Sequence, residues 1–349
     1  LRGRVKSLLK VNHDRFPGSQ PISFDRSAFQ LLENEDYFVS EKADGVRYIM
    51  LIAHEDRKST VFMVDRLNNY HYIKEMQMHL QFHDPKSKNQ HQTRRETLID
   101  GEMVVERSGN QVRRRFLAFD IMVNSSIIVT HRSYSTRLGM LHQDIIKPYL
   151  ETLKRDPAIA KRQPFTMEIK KVERSYGIKL VFSEMANLKH KSDGLIFTPV
   201  KQEYIPGTCA KLLKWKPPDA NTADFKIQVT YSKDRKPFYK LLVAANGVHK
   251  YFTHLQLEPD VYAQWRAHPP DNRIAEFRFD PDWKVTVVEE GYAPITQQGG
   301  WRFQRFRNDK NTANDEAVVK QIIQCIRQGV TRQEFESHLD KIRAHWKAR

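Results

Sequence analysis

The sequence predicts an α+β protein in two parts: a larger mixed domain, then a small β-barrel carrying helices at its end. Three observations lead there. Runs rich in β-branched and aromatic residues alternate with Asp-Gly pairs through the first part of the chain. The stretch "KPPDANTAD" at 216–224 interrupts the apolar patterning with two prolines and then small polar residues. Beyond it, short strand-like runs follow at barrel spacing, and two runs of helical period close the chain. A length of 349 residues suits about two domains at roughly 150 residues each.

Each element has its own signal. Residues 13–26, "HDRFPGSQPISFDR", are rich in turn formers and read as an irregular entry segment. "YFVS" (37–40) and "VRYIMLI" (46–52) flank Asp44-Gly45 as the strands of a hairpin, because Gly supplies the positive φ that a tight turn demands. "VFMVDR" (61–66) reads as a third strand. The loop 82–97 is long, polar and basic. "TLIDGEMVVE" (97–106) and "RRFLAFDIMV" (114–123) read as two more strands. "YSTRLGMLHQDIIKPYLETL" (134–153) has apolar residues at helical spacing, and "KLVFSEMANL" (179–188) is a shorter helix. "SDGLIFTPV" (192–200) and "KLLKWKP" (211–217) are strand-like.

After the break come "FKIQVTY", "FYKLLVAA", "HKYFTHL", "IAEFRFD" and "WKVTVVEE". The segment "VVEEGYAPITQQGGW" (287–301) has no clear reading. "TANDEAVVKQIIQCIRQ" (312–328) starts with a Thr or Asn cap, and "TRQEFESHLDKIRAHWKA" (331–348) has Glu three residues after Thr331, a capping-box spacing. The predicted domains are 1–222 and 223–349.

A net charge of +16 points to polyanionic partners, nucleic acid or nucleotide phosphates first. No apolar run approaches the roughly 18 residues of a membrane helix, and a secretory leader is not expected from the first residues. A first residue of Leu leads us to expect a piece of a longer protein. Cys209 and Cys325 are too few and too far apart for a disulfide framework or zinc cluster, so a reducing intracellular setting is expected. With no Gly-rich dinucleotide loop or P-loop, a fused methyltransferase or classical NTPase has no support.

Chemistry concentrates around three Asp-Gly pairs. Asp44-Gly45 carries Lys42 and Arg47, Asp100-Gly101 carries Glu102, and Asp193-Gly194 opens "DGLIF". Any one alone reads as a turn. In "LLKWKP", Lys214 and Lys216 fall on the same face of one strand, since alternate residues point the same way. Two such cations repel unless an anion sits between them, which indicates a phosphate site.

In order along the chain, "EKADGVR", "VFMVDR", "LIDGEMVV", "FLAFD", "SDGLIFTP", "LLKWKP" and "WRFQRFRNDK" resemble the covalent nucleotidyltransferases. That superfamily contains the messenger-RNA capping guanylyltransferases and the DNA and RNA ligases. "RFPGSQPIS", "LLKWKPPDANTADF" and "RNDK" carry a narrower likeness to the guanylyltransferase of metazoan-type capping enzymes. Ligases usually have Glu-Gly where this chain has Asp193-Gly194. The resemblance implies a nucleotidyltransferase domain with antiparallel sheets, then an OB-fold barrel and C-terminal helices.

It also implies an activity. Lys42 would attack the α-phosphate of GTP and hold GMP as a phosphoramidate, then pass it to 5′-diphosphate RNA. The amine must be neutral, whereas a free lysine titrates near ~10.4; partial burial and the charges of Lys214, Lys216 and a metal would push its pKa down. Arg47 would help hold ribose or phosphates, Arg66 would reach the ribose, and Glu102 would meet the ribose or the metal. Phe119 would stack on the purine and Lys170 would read guanine. Asp193 would contact Mg²⁺ or Mn²⁺, with Glu102 a second candidate, and Lys214 and Lys216 would clamp the α-phosphate.

In the second domain, Asp224, Arg307, Asp309 and Lys310 would handle the nucleotide and the departing pyrophosphate, through closure at the 216–224 hinge. The implied partners are GTP, RNA and the phosphorylated tail of RNA polymerase II, and the implied place is the nucleus, with no membrane. The RNA triphosphatase of animal capping enzymes uses a Cys-x5-Arg loop, which neither cysteine here makes, so that domain is expected to be absent from this chain. Two other readings remain: an ATP-dependent polynucleotide ligase, and an inactive RNA- or polymerase-binding module.

Overall fold

A computed structural model describes residues 1–12, 15–55, 58–74, 76, 94–109, 111–287, 294–308 and 310–348. Two compact units are present, Leu1–Trp215 with Gln333–Arg349, and Lys216–Arg332. The strands of the first unit are β1 (Ser19–Ser23), β2 (Tyr37–Ala43), β3 (Val46–Glu55), β4 (Lys58–Val64), β5 (Tyr70–Ile73), β6 (Arg94–Ser108), β7 (Gln111–Asn124), β8 (Ile127–Ile128), β9 (Thr166–Ile169), β10 (Glu173–Arg174), β11 (Ser192–Pro199) and β12 (Gly207–Trp215). They form two sheets, one in the order β5-β4-β3-β6-β7-β8 with β9 joined to β7, the other β1-β12-β11-β2-β10. The pairings β1–β12 and β7–β9 are parallel.

The continuous apolar run of β3 follows from burial on both faces. Met50 and Ile52 pack with Ile145 and Tyr149 from the helical segment, while Ile49 and Leu51 pack with Val5 and Tyr204 on the other side. That segment runs Tyr134–Met140, Leu141–Ile146 and Lys147–Arg155, and its middle part is a π-helix. Pro148 has no N–H to donate back one turn, and the wider π turn accommodates that loss.

The predicted hairpin at Asp44-Gly45 is not one. β2 pairs with β10 and β11, whereas β3 pairs with β4 and β6, so Asp44-Gly45 is the corner where the chain passes between sheets. Asp100-Gly101 and Asp193-Gly194 lie inside β6 and β11. The sequence misleads because Asp-Gly is read for its tolerance of positive φ, while Gly45 and Gly101 serve close approach instead. A Cβ on Gly45 would stand 2.5 Å from the Met103 carbonyl oxygen, and one on Gly101 2.4 Å from the Phe116 ring. The entry segment also departs from expectation, because "SQPIS" forms β1; at the edge of its sheet, Pro21 is tolerated.

The second unit has β13 (Thr222–Tyr231), β14 (Pro237–Ala245), β15 (Val248–Leu255), β16 (Ile274–Val287) and β17 (Ile295–Phe306), in the order β15-β14-β13-β16-β17. A helix, Pro259–Ala267, lies between the third and fourth strands, as in an OB-fold. Phe225, Ile227, Leu241, Trp265, Phe277 and Trp301 fill its core. "IAEFRFD" and "WKVTV" merge into the single strand β16, and the unplaced "ITQQGGW" opens β17. The helix Glu316–Gln328 covers this core with Val319 and Ile322, and its cap is Asp315, which accepts from the Ala317 N–H at 2.9 Å, rather than the expected Thr or Asn.

The closing helix, Arg332–Lys347, corrects the predicted boundary. Its residues from Gln333 onward belong to the first unit, not to the barrel domain 223–349. Phe335 is fully buried there, with ring centroids 4.9 Å from Phe24, 5.2 Å from Phe29, 5.3 Å from Trp215 and 5.5 Å from Phe197. Composition placed this helix next to its sequence neighbour; aromatic burial decides otherwise.

Candidate active site

Lys42 sits near the end of β2, directly opposite Gly194 of β11. The ladder steps from Ser192 opposite Ala43 to Gly194 opposite Lys42, which leaves Asp193 as the extra residue of a β-bulge. Freed from the ladder, its Oδ1 lies 2.6 Å from Lys42 Nζ, with both side chains about a quarter exposed at 23% and 25%. Main-chain contacts brace this edge, because Ser192 Oγ donates to the Lys42 carbonyl at 3.0 Å and the Asp44 N–H to the Lys191 carbonyl at 2.8 Å. The sequence led us to expect cations around Lys42; the charged group in contact is a carboxylate.

Lys42, Asp44, Gly45, Arg47, Arg66 and Glu102 line one cleft of about 410 Å³, within the range of small-molecule sites. Glu102 accepts from the Gly45 N–H at 3.1 Å. Burial pushes its carboxyl above the usual value, partly opposed by Lys170, the Gly45 N–H and Lys42. Arg66 is exposed, on the turn after β4. Asp65 shapes that turn by accepting from the Leu67 and Asn69 N–H groups, both at 2.9 Å, and it meets His71 at 3.0 Å. Burial by itself raises the Asp65 carboxyl, but the hydrogen bonds from His71, Asn69 and the Leu67 N–H together outweigh it and lower the group to about 2.

Arg47 is buried and tied down. Its Nε and Nη2 donate to Asp100 at 3.0 and 2.6 Å, and Nη1 donates to the Ser19 carbonyl at 2.5 Å. Burial opposes its charge, but Asp100 outweighs burial and holds the guanidinium pKa above its usual value. Tyr204 Oη also donates to Asp100, at 2.5 Å. The guanidinium lies 5.5 Å from the centre of the Phe119 ring. Phe119 is itself a bulge residue, because Asp100 pairs with Asp120 and Gly101 with Ala118, leaving it unopposed. The bulge leaves the ring half-buried while Phe116 and Ile121 fill the core.

Lys170 is buried, its Nζ 3.4 Å from Glu41 Oε1, which His190 Nε2 also meets at 3.2 Å. Burial raises the Glu41 pKa, yet the pull of His190 and Lys170 prevails and the carboxyl is lowered overall. Glu41 was missed in the sequence, although it stands immediately before Lys42 in "EKADG". Lys214 lies on β12, opposite Ile196 of β11 and Ser23 of β1. Lys216 lies beyond the end of β12, as the first residue of the second unit, so the two lysines do not share a strand as predicted.

Asp224, Arg307 and Lys310 form a second cluster, inside the second unit. Asp224 is buried and accepts from Arg307 Nη1 at 3.0 Å and from Lys310 Nζ at 2.5 Å. Asn314 braces it by accepting from the Asp224 N–H at 2.7 Å. Asp309 lies outside the described residues, as does 82–93 of the predicted loop, whose last residues, 94–97, open β6.

The donor chemistry suits a hard divalent ion. Asp193 and Glu102 offer carboxylate oxygens at the Lys42 cleft, and Mg²⁺ is commonly held by one or two carboxylates plus substrate phosphates. Among the described residues no group of three or more His, Cys, Asp or Glu is placed to hold a metal.

Residues 1–218 match the family model "mRNA capping enzyme, catalytic domain", and residues 220–335 match "mRNA capping enzyme, C-terminal domain". The chain belongs to the mRNA capping enzyme family. Relatives agree with this. The mRNA-capping enzyme subunit alpha of Neurospora crassa is 33% identical across 100% of this chain and 90% of its own length. That of Schizosaccharomyces pombe is 31% identical, across 98% and 84%. The mRNA-capping enzyme of Mus musculus is 29% identical, across 94% of this chain and 50% of its own length. The capping-enzyme likeness therefore extends to fungal subunits as well as to an animal enzyme. A solved mycobacterial DNA ligase D complexed with ATP and MES covers 86% of this chain and 97% of that one, at 14% identity and a TM-score of 0.41.

Proposed function

We propose that this capping enzyme is an mRNA guanylyltransferase that works through Lys42. In the first half-reaction Lys42 Nζ, having lost a proton, forms a bond to the α-phosphorus of GTP. The bond from that phosphorus to the β-phosphate oxygen breaks and pyrophosphate leaves. In the second, the terminal phosphate oxygen of 5′-diphosphate RNA attacks the same phosphorus and frees the lysine, giving GpppRNA. The observation that carries the reading is Lys42 at the mouth of a nucleotide-sized cleft, its amine held 2.6 Å from Asp193.

The remaining roles are assigned from the family resemblance. Glu102 and Arg66 meet the ribose, Phe119 offers its half-buried face to the base, and Lys170 donates to guanine O6, where adenine would present a donor instead. Arg47, committed to Asp100, acts by stiffening the wall of the cleft. Lys214 and Lys216 stabilise charge on the α-phosphate oxygens. Asp193 and Glu102 would hold Mg²⁺ or Mn²⁺, which when bound neutralises phosphate charge. Asp224 keeps Arg307 and Lys310 ordered for the β- and γ-phosphates. The same reading places the enzyme in the nucleus, with RNA and the phosphorylated tail of RNA polymerase II as partners; the net charge of +16 supports the first of these.

Incubation with α-labelled GTP, then denaturation, tests this directly. Label should remain on the wild-type chain and be absent from Lys42→Ala. Retention from ATP alone would make the protein a ligase-type enzyme, and no adduct from either nucleotide would leave only a binding module.

A further inference from the structure

We propose that the tip of the β6–β7 hairpin, together with residues 189–191, forms the track along which the RNA acceptor leaves the Lys42 cleft. This rests on the reading that RNA receives the guanylate.

Register places the residues. Val105 faces Arg114 and Arg107 faces Val112 across the hairpin, so these four side chains share one face. All four are exposed, the valines by 43% and 54%. On the other face Arg113 is exposed as well, whereas Arg115 is tied to Glu106 at 2.9 Å and to Glu168 at 2.7 Å. The nearby acids are therefore already engaged. Among the described residues no ion pair reaches Arg107, Arg114, Lys189 or Lys191.

The hairpin tip connects to the nucleophile through the main chain. The Arg107 N–H donates to the Lys189 carbonyl at 3.4 Å, and the Asp44 N–H to the Lys191 carbonyl at 2.8 Å, two residues from Lys42. Exposed cations with no ion pair among the described residues thus run from the cleft mouth to the hairpin tip, with two exposed valines among them. Cations that repel one another and lack acidic partners suit a polyanion, and apolar surface between them suits ribose and base. That combination is what a single-stranded nucleic acid needs. A phosphorylated peptide would also answer the charge, but it has no reason to start at the nucleophile. An acceptor RNA must bring its 5′ end to Lys42, and its next phosphates then cross this surface.

The test separates the two half-reactions. Arg107→Ala/Arg114→Ala and Lys189→Glu/Lys191→Glu should form the lysyl-GMP adduct from GTP within about twofold of wild type. Guanylate transfer from that adduct to a 5′-diphosphate RNA of about 15 nucleotides should fall at least tenfold, while transfer to a 5′-diphosphate dinucleotide stays near wild type. In anisotropy titrations with single-stranded RNA, the slope of log affinity against log salt should shrink by about 0.7 for each phosphate that the variant no longer neutralises. Unchanged RNA affinity and slope in both double variants overturn the proposal. Loss of binding to a phosphorylated polymerase-tail peptide with RNA binding intact overturns it too, and assigns the face to that peptide. A wild-type chain that makes no adduct defeats the guanylyltransferase reading instead, and the anisotropy measurement still decides the surface.

Discussion

At the residue scale, Arg47 shows what burial does to a site motif. Its resemblance suggested a direct hand in nucleotide binding, yet its fork is spent on Asp100 and Ser19. Removing one partner of such a pair leaves the other charge buried and uncompensated, at a cost of about 3–5 kcal/mol. Arg47→Ala should therefore lower the urea midpoint of the first unit strongly, before any effect on nucleotide is considered. Glu102 should behave in the opposite way. Burial raises its folded pKa, so the charged form carries a penalty. That penalty is absent below the unfolded value near ~4.3 and grows as pH rises through the folded one. Glu102→Gln, which keeps an acceptor for Gly45 N–H, should raise Tm at pH 8, show no gain at pH 4, and lower guanylate transfer by at least tenfold.

At this scale, Lys42, Arg47, Arg66 and Glu102, which the sequence singled out, line one cleft. Lys42, Glu102, Asp193 and Lys214 each lie inside a short motif whose residue types have few other uses together. What the sequence hid was how the residues are aimed. Asp193 meets Lys42, and Phe119 lies beside Arg47, with each the surplus residue of a bulge, and a bulge depends on the partner strand, which a linear reading does not see. Glu41 was missed, and Asp100 was named without its partners, for a related reason, because their importance comes from Lys170, His190, Arg47 and Tyr204, all distant in sequence.

Elements were read well where their period was long and less well where glycine was the clue. The core strands and the four longer or later helical segments came from apolar spacing, whereas the helices Arg2–Leu9, Ala28–Asn34, Pro157–Arg162 and Pro259–Ala267 were not read. The hairpin at Asp44-Gly45 did not survive, since the glycine is there to let two sheets meet closely. Gly45→Ala tests that reason. Its Cβ would press on the Met103 carbonyl at 2.5 Å, so a loss of about 1–3 kcal/mol is expected, with slower adduct formation from a displaced Lys42. If the glycine were instead a simple turn residue, alanine would weaken the fold without touching the rate. Phe335 offers a second check on element packing. Phe335→Ala should cost about 3–5 kcal/mol, read from urea unfolding followed at Trp215, whose ring it contacts.

For the whole molecule, the decisive feature is that the first unit is discontinuous, interrupted by Lys216–Arg332. A chain ending at 332 should keep slow hydrogen exchange in the barrel core at residues 225–227 and lose it at residues 195–197 beneath Phe335. Uniform loss in both units would mean that the closing helix supports the entire protein. The order of the two clusters along the chain, Lys42 first and Arg307 late, was plain from the sequence; the return of the last helix to the first unit was not, because nothing in its own residues names its neighbours.

That return also sets a timetable during synthesis. A ribosome adds roughly 5–20 residues each second, so the nascent sheets around Lys42 must wait on the order of ten seconds, while the barrel is being made, for Phe335 to emerge. Until then Phe24, Phe29 and Trp215 have an uncovered surface, and a transcript of this gene cut short before the last helix codon would yield a polypeptide marked for chaperones rather than a half-working enzyme.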